Sequence, residues 1–211
     1  MAKKKSDSPY SAALGGGGFL FEETDALLPL LQSPDASELL KDEIVHNRLL
    51  HMNAERTRSK AVLEVRRRYV TMSPDFWIHY QEMSEENRRA ALFYTILKTY
   101  KIVFDFHVGV AMRKWKSIDR TIELADLMIE LDEISARDEF VDSWTDATKR
   151  KIASAYLTIL RKAGMCDRSG NLQPLKFDNA GFYLYGPGEP WFLEASFMPP
   201  YQIETLKQQT T

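Results

Sequence analysis

The sequence is poor in the residues that build disulfides and metal sites. Its 211 residues include one cysteine, Cys166, and four histidines. One cysteine cannot form an intramolecular disulfide, which suits a reducing compartment such as the cytosol. His46 and His51 are five residues apart, a spacing that does not place them on one helical face as metal ligands. The sequence therefore predicts neither a metal centre nor a cofactor.

Long apolar runs are also missing. The most apolar segment, residues 90–112, is interrupted by Lys98, Lys101 and Asp105, and such charges make a bilayer span costly. The first residues, MAKKKSDSP, lack the apolar core of a secretory signal. We therefore expect a cytoplasmic protein with no membrane segment, in which residues 1–12 form a disordered basic tail.

Nucleotide-binding and catalytic patterns are absent as well. Four glycines, Gly15 to Gly18, precede Phe19, but a Walker-type loop requires Gly-Lys-Ser/Thr and a dinucleotide fingerprint requires a preceding strand. We interpret the glycines as a permissive turn that leads into a helix. The carboxylate pairs at residues 22–23 and 85–86 suit helix N-termini. No constellation predicts catalysis, and we expect a protein that is not an enzyme.

What the sequence does contain is helical periodicity. The apolar spacing predicts helices over residues 19–31, 37–50, 58–71, 84–114, 118–142 and 145–163. Ser84 and Thr145 are expected to start helices, Thr57 to cap the third and Gly164 to end the last one. The turn signal at residues 169–171 lies between two short extended runs and predicts a β-hairpin.

These elements predict an all-α fold, a compact helical protein with two helix-turn-helix elements. The C-terminal element is expected to be winged by the short β-hairpin. We expect an N-terminal helical region over residues 13–115 and a C-terminal helical region over residues 116–211.

The formal net charge is −2, so any site for a polyanion must be a local patch. Residues 56–68 hold six cations against Glu64 alone, and they follow a helix and a turn. That order is typical of a helix-turn-helix, in which the N-terminal end of the second helix enters the major groove. The alternative is a solvated charged helix face. The candidate DNA-binding residues of this element are Arg56, Arg58, Ser59, Lys60, Arg66, Arg67 and Arg68.

A second basic helix follows the same logic near the C-terminus. Lys149, Arg150 and Lys151 lie in the first turns of the 145–163 helix, and Arg168 lies on the predicted hairpin. A helix followed by a small hairpin is typical of a winged helix, where the wing contacts the DNA backbone or the minor groove. Cations at residues 161–162 suit the helix dipole and require no ligand. Lys149, Arg150, Lys151 and Arg168 complete the candidate DNA-binding residues.

Four segments together resemble the BrxA family of BREX (bacteriophage exclusion) systems. These are YSAALGGGGFLFEETDALLPLL, the NRLL and RTRSKAVLEVRRRY run, WTDATKRKIASAYLTILRKAGMCD and PWFLEASFMPPYQIE, in this order. The resemblance implies an all-helical, non-enzymatic DNA-binding protein of phage defence, which acts beside a methyltransferase and an ATPase. It places the two helix-turn-helix elements at residues 57–69 and 145–164.

Two other functions stay open at this point. An adaptor that assembles other defence proteins is one, since residues 118–142 hold nine carboxylates against two arginines. Its second basis is an aromatic C-terminal segment, which contains Trp191, Phe192, Phe197, Met198 and Tyr201. Binding of RNA is the other, because arginine-rich helices serve both nucleic acids.

Overall fold

The computed structural model describes residues 7–16 and 18–208, and this part of the chain is helical without a β-strand. A 3-10 turn, Ala12–Gly16, precedes the α-helices, and a π-helical segment, His107–Ala111, joins α6 to α7. The helices are α1 Phe21–Leu31, α2 Ala36–His46, α3 Glu55–Tyr69, α4 Pro74–Glu82, α5 Glu85–Thr99, α6 Lys101–Phe106, α7 Met112–Trp115, α8 Leu124–Ser135, α9 Glu139–Asp142, α10 Asp146–Ala163, α11 Gly181–Leu184, α12 Trp191–Ala195 and α13 Pro200–Gln208. No helix in the described ranges has the length and apolar character that crossing a membrane requires.

Local sequence signals set several helix ends as predicted. The Ser84 hydroxyl accepts a backbone N–H three residues on at 3.4 Å, and α5 begins there. Thr145 does the same at 3.2 Å for α10. Gly164 adopts a left-handed φ of 85° and ends α10, as its lack of a Cβ allows. The prediction of an all-α fold is thus confirmed.

The first basic helix begins earlier than predicted. α2 ends at His46, since Asn47 turns left-handed with φ of 52°, and α3 begins at Glu55 rather than near residue 58. Ala54 is the residue before α3, so Thr57 lies inside the helix and does not cap it. The connection between α2 and α3 therefore covers residues 47–54, and side chains from outside it determine its shape.

The main core surrounds α5, which is buried along nearly its whole length. Aromatic rings from α5, α6, α10 and α12 meet there, and Tyr94 lies 5.3 Å from Phe192 between ring centroids. Phe106 and Tyr156 are 5.5 Å apart and fully buried. Each such side chain contributes about 1.5–3 kcal/mol by leaving water. This core holds α10 in place from Ile152 to Ala163.

A second, smaller core joins α1, α2 and α3. Its buried members are Leu27, Leu31, Leu40, Leu50, Val62 and Val65. The inner face of α3 thus packs on two short helices. The predicted division at residues 115 and 116 stays a prediction, and residues 1–6 of the predicted tail lie outside the described residues.

The predicted β-hairpin after α10 is not formed within the described residues. The pairing there consists of two isolated antiparallel bridges, Cys166 with Leu172 and Thr121 with Asn171. The pairing stops because Pro174 has no backbone N–H to donate. The next N–H, from Leu175, is donated instead to the carbonyl of Ser196 at 3.0 Å.

The long helix predicted over residues 84–114 is interrupted at Tyr100, whose backbone is extended, and again near Gly109. The π-helical segment His107–Ala111 occupies this position. A Cβ added to Gly109 would lie 2.8 Å from the Oε2 atom of Glu130, so the Glu130 carboxylate would have to shift to admit a side chain here. Glu130 is buried, and this burial, with the nearby Glu133, raises the pKa of its carboxyl.

A buried histidine in this segment joins α10 to α12. The Nε2 atom of His107 lies 2.7 Å from the carbonyl of Ala195, and its Nδ1 atom lies 2.9 Å from the Tyr156 hydroxyl. A carbonyl only accepts, so Nε2 carries the proton and Nδ1 accepts from Tyr156. Burial lowers the pKa of His107 to about 4, because no solvent stabilises the charged ring.

Candidate nucleic-acid interface

The connection between α2 and α3 is fixed by one buried carboxylate. Glu43 accepts the backbone N–H groups of Arg48, Leu49 and Leu50 at 3.1, 3.0 and 2.9 Å. Burial alone would raise the pKa of this carboxyl, but the three donors outweigh it and the pKa is lowered. The turn is therefore a hydrogen-bonded structure, although it is longer than the usual helix-turn-helix connection.

Arg58 fastens the other side of the same connection. Its Nε atom donates to the carbonyl of Ile44 at 2.6 Å, and its Nη1 atom donates to the carbonyl of Met52 at 2.7 Å. The side chain is buried, with 6% of the residue exposed. Arg58 thus caps the last carbonyls of α2 from the first turn of α3. The guanidinium has these partners already, so the prediction that it contacts DNA is corrected.

Arg68 has a similar internal role at the other end of α3. It is fully buried, and its Nη1 and Nη2 atoms donate to the carbonyls of Phe19 and Gly18 at 2.7 and 2.6 Å. Gly18 has φ of 55°, which agrees with the predicted permissive turn. The last glycine of the run, Gly18, therefore presents its carbonyl to an arginine. Arg68 is also removed from the candidate DNA contacts.

Lys149 is the corresponding buried cation of α10. Its Nζ atom donates to the Ser135 hydroxyl of α8 at 2.8 Å, and 8% of the residue is exposed. This hydrogen bond ties the first turns of α10 to the end of α8. Lys149 is therefore not available to a ligand, unlike the two cations that follow it.

A signal in the sequence could have identified these three cations. Arg58 lies three residues before Ala61 and Arg68 lies three residues after Val65, so both share the buried face of α3. Lys149 lies three residues before Ile152, which is buried on α10. The apolar residues of these two faces are Ala61, Val62, Val65, Ile152, Ala153 and Tyr156. Helical spacing therefore places all three cations toward the interior.

Most of the other candidate cations are exposed and have no ion pair among the residues that the structure describes. We call them the unpaired cations, and they are Arg56, Lys60, Arg66, Arg150, Lys151 and Arg168. Ser59 is half-buried. Arg67 is the exception, because its Nη1 atom lies 2.6 Å from the Oε1 atom of the buried Glu64. Glu64 in turn accepts the Tyr100 hydroxyl, so Arg67 is held in a defined position.

The structure brings the two predicted basic elements together at one groove. The groove lies between α3 and α10 and has a volume of about 430 Å³. α3 lines it with Lys60, Leu63, Glu64 and Arg67, and α10 lines it with Thr148, Lys151 and Ile152. Glu64 is the one carboxylate of this lining, and Arg67 pairs with it. The 3-10 turn Ala12–Gly16 supplies two alanines between them. The sequence did not indicate this groove, because its walls are more than eighty residues apart in the chain.

Arg168 lies exposed in the turn that follows α10. The Asp167 carboxylate accepts the Ser169 and Asn171 backbone N–H groups at 2.8 and 2.9 Å, which closes the turn. The side chain of Asn171 is the first cause of the lowered pKa of Asp167. The turn therefore presents Arg168 without a regular hairpin behind it.

A second cavity differs from this groove in its charge. It has a volume of about 310 Å³ and lies between α8 and the π-helical segment. Lys114 pairs there with Asp126 at 3.0 Å, and Glu130 and Glu133 add further negative charge. Carboxylates outnumber cations in the lining of this cavity, whereas three cations face one carboxylate in the groove, so the cavity does not attract a polyanion. In the described part of the chain, no group of three or more His, Cys, Asp or Glu could hold a metal ion.

The C-terminal aromatic residues mostly belong to the core. Phe192 and Phe197 are 0% and 1% exposed, and Trp191 is half-buried. Only Tyr201, at 69%, is largely exposed among these rings. The aromatic surface expected for an adaptor is therefore reduced to the last helix.

Comparison with known proteins gives a family and a fold. The family model described as BrxA matches residues 8–180. A relative from Bacillus cereus (strain H3081.97), described as "BREX protein BrxA", is 23% identical over 163 residues, which cover 77% of this chain and 82% of the relative. A crystal structure of an uncharacterized protein from Magnetospirillum magneticum is similar with a TM-score of 0.74 and 20% identity, and the match covers 90% of this chain and 98% of that one. The similarity to this crystal structure concerns the fold alone.

Proposed function

The chain belongs to the BrxA family, and we propose that it is a non-enzymatic, DNA-binding component of a BREX phage-defence system. The observation that carries the proposal is the set of unpaired cations on α3, on the start of α10 and on the following turn. Outside these elements, other cations of the described residues either lie within 4 Å of carboxylates, as Arg48, Lys98 and Lys114 do, or are exposed without an ion pair, as Lys41, Lys116 and Lys176 are. The unpaired cations differ from them because they gather on two helices and one turn. In a protein of net charge −2, such a local patch is suited to a polyanion.

The arrangement of helices supports two DNA-contacting elements. α2 and α3 with their hydrogen-bonded connection form the first, and α8 to α10 form the second. Residues 120–122 lie beside residues 170–172 next to α10, where Ile122 donates to the carbonyl of Gly170 at 2.9 Å. A helix pair followed by a supported turn is the order in which a winged helix presents its recognition helix and its wing. Arg168 occupies the position of the wing in this reading.

Fluorescence anisotropy on a labelled random duplex of about two helical turns tests the proposal. Phosphate contacts by roughly five to seven cations predict that log K falls with log salt at a slope of about −4.5 to −6.3. Saturable binding with such a slope is the expected result. A flat salt response, or no binding at low salt, would contradict DNA binding. A parallel titration with structured RNA distinguishes the RNA-binding alternative.

The variant for this test leaves the buried cations unchanged. We expect Arg56→Glu, Arg66→Glu and Arg150→Glu together to remove most of the affinity without unfolding the protein, because all three side chains are exposed. A matched control reverses three exposed lysines elsewhere, Lys41, Lys116 and Lys176. Equal losses of affinity in both variants would show that binding depends on the net charge of the protein rather than on a defined surface.

An adaptor role is the second candidate, and one observation favours it. Ile129 is 61% exposed on α8, beside the exposed carboxylates of Asp132 and Glu133. Such a patch suits a partner with apolar and basic residues, and family membership suggests the other defence proteins, such as a methyltransferase or an ATPase. A pull-down from cells that carry the whole defence locus tests this role. Recovery of no defence protein, or equal recovery with an Ile129→Lys variant, would contradict it.

A further inference from the structure

The groove between α3 and α10 suggests how the two basic elements work together. Lys60 and Arg67 lie seven residues apart on one face of α3, and Lys151 faces the same groove from α10. Lys60 and Lys151 have no ion pair among the described residues, so their charges are available at the two walls. Cations on opposite walls of one groove suit a single chain of negative charges that passes between them.

The groove is suited to a backbone rather than to a base edge. Base recognition in the major groove relies on side chains that form paired hydrogen bonds with one base, Arg or Lys with guanine and Asn or Gln with adenine. The lining of the groove has no Asn or Gln, and its two lysines lie on opposite walls and act as point charges. Arg67 is already held by Glu64 at 2.6 Å. Leu63 is 55% exposed and gives an apolar contact of the kind that a deoxyribose can cover.

We propose that this groove seats one strand of the DNA backbone, so that α3 and α10 form one composite site for a single duplex. This inference rests on the proposed function and refines it, because two helix-turn-helix elements could equally bind two duplexes. Lys60, Arg67 and Lys151 contact consecutive phosphates of the seated strand, and Leu63 contacts its sugars. The other unpaired cations lie outside the groove and contact the flanking backbone.

Neutralisation of the two lysines tests the composite site. Lys60→Gln and Lys151→Gln should each lower the affinity for the two-turn duplex about tenfold at 0.1 M salt and reduce the salt slope by about 0.9. The stoichiometry should stay at one duplex per chain. Lys41→Gln and Lys162→Gln are the matched controls, since both lysines are exposed on α2 and α10 but do not line the groove.

A charge placed inside the groove gives an independent measurement. Leu63→Glu should lower the affinity at least tenfold, because a carboxylate would then face the seated phosphates. Ile78→Glu on α4 is a close control, with 53% exposure against 55% for Leu63. Both substitutions are at exposed positions, and circular dichroism with thermal melting verifies that each variant is folded.

The outcomes separate this inference from the proposed function. Suppose that the wild type binds DNA and that Leu63→Glu, Lys60→Gln and Lys151→Gln weaken binding no more than their controls do. This result would overturn the composite site and leave DNA binding intact. A stoichiometry of two duplexes per chain, with each lysine variant losing one, would also overturn it. Absence of wild-type binding at low salt would overturn both proposals.

Discussion

α3 and α10 are both rich in cations, but they use them differently. α3 buries Arg58 and Arg68, which donate hydrogen bonds to backbone carbonyls at both of its ends. α10 buries only Lys149, which makes a single hydrogen bond to Ser135. Its other buried positions are apolar or aromatic. A run of positive charge in a sequence can therefore be a structural element in one helix and a surface in another.

The difference follows from the amount of core that each helix contacts. α3 packs on α1 and α2 through a cluster of six buried apolar residues, whereas α10 packs into the large core around α5. Charged hydrogen bonds to carbonyls are stronger than neutral ones, and they supplement a small core. We therefore expect α3 to lose more stability from changes of charge, and α10 to lose more from changes at its aromatic contacts.

The largest effect is expected from Arg68→Met. This change leaves the carbonyls of Gly18 and Phe19 without their donor and leaves the buried Glu64 with less positive charge nearby. Loss of one partner from a buried ionic network costs about 3–5 kcal/mol, which denaturant unfolding can measure. Arg66→Met on the exposed face is the control and should cost little. A loss below 1 kcal/mol for Arg68→Met would contradict the structural role.

Acid should weaken the α10 side of the molecule before the α3 side. His107 has its pKa lowered from 6.5 to about 4 in the fold, so the unfolded chain binds more protons between these values. Stability is therefore complete above pH 6.5 and falls by about 3 kcal/mol as the pH decreases to 4. The pKa of the Glu43 carboxyl is lowered from 4.5 in the fold, so the stability that this group contributes is present above pH 4.5 and is lost only as the pH falls below 4.5.

Unfolding curves of the wild type and of His107→Gln between pH 4 and 7 measure this difference. The variant keeps groups that can donate and accept hydrogen bonds but does not titrate in this range. Its stability should therefore depend much less on pH than that of the wild type. Parallel curves for the two proteins would show that another group titrates here.

Arg58→Met should have an intermediate effect on stability. It removes the donors to the carbonyls of Ile44 and Met52, and the expected loss is about 2 kcal/mol. Its effect on α3 should exceed that of Lys149→Met on α10. Hydrogen exchange of the 47–54 amides can locate the loss, which should be concentrated at this connection. Uniform exchange across all helices would contradict a local clamp.

The smallest effect is expected from Lys149→Met. A single hydrogen bond to Ser135 is lost, and the long apolar stem of methionine can take the place of the lysine stem. The expected change is about 1 kcal/mol or less, measured by thermal unfolding. A loss as large as that of Arg68→Met would remove the contrast between the two helices.

The sequence predicted those features that depend on neighbouring residues. Ser84, Thr145 and Gly164 set helix ends through contacts within a few residues, and these ends were confirmed. The start of α3 and the end of α2 were predicted less well, because Glu43 and Arg58 fix them through hydrogen bonds across a turn. The hairpin after α10 failed because Leu175 donates to Ser196 from a distant segment.

The candidate site shows the same limit. The types of residue were informative, since six of the candidate cations are exposed and unpaired among the described residues. Their burial depended on the helical face, which net charge does not reveal, and Arg58, Arg68 and Lys149 lie on the inner one. The groove required the three-dimensional structure, because α3 and α10 are distant in the chain and meet beside the 3-10 turn.

The π-helical segment His107–Ala111 implies a strict counting rule for the chain. A π turn contains one more residue than the α-helix that surrounds it, and each residue of an α-helix turns the following part by about 100°. If the segment became a regular α-helix with its length unchanged, the extra residue would rotate α7 by about that angle. Trp115, whose ring stacks 5.0 Å from Phe197, would then face away from its partner. Deletion of the exposed Val108 would instead remove the extra residue together with the π turn, so α7 would keep its present face toward the C-terminal segment.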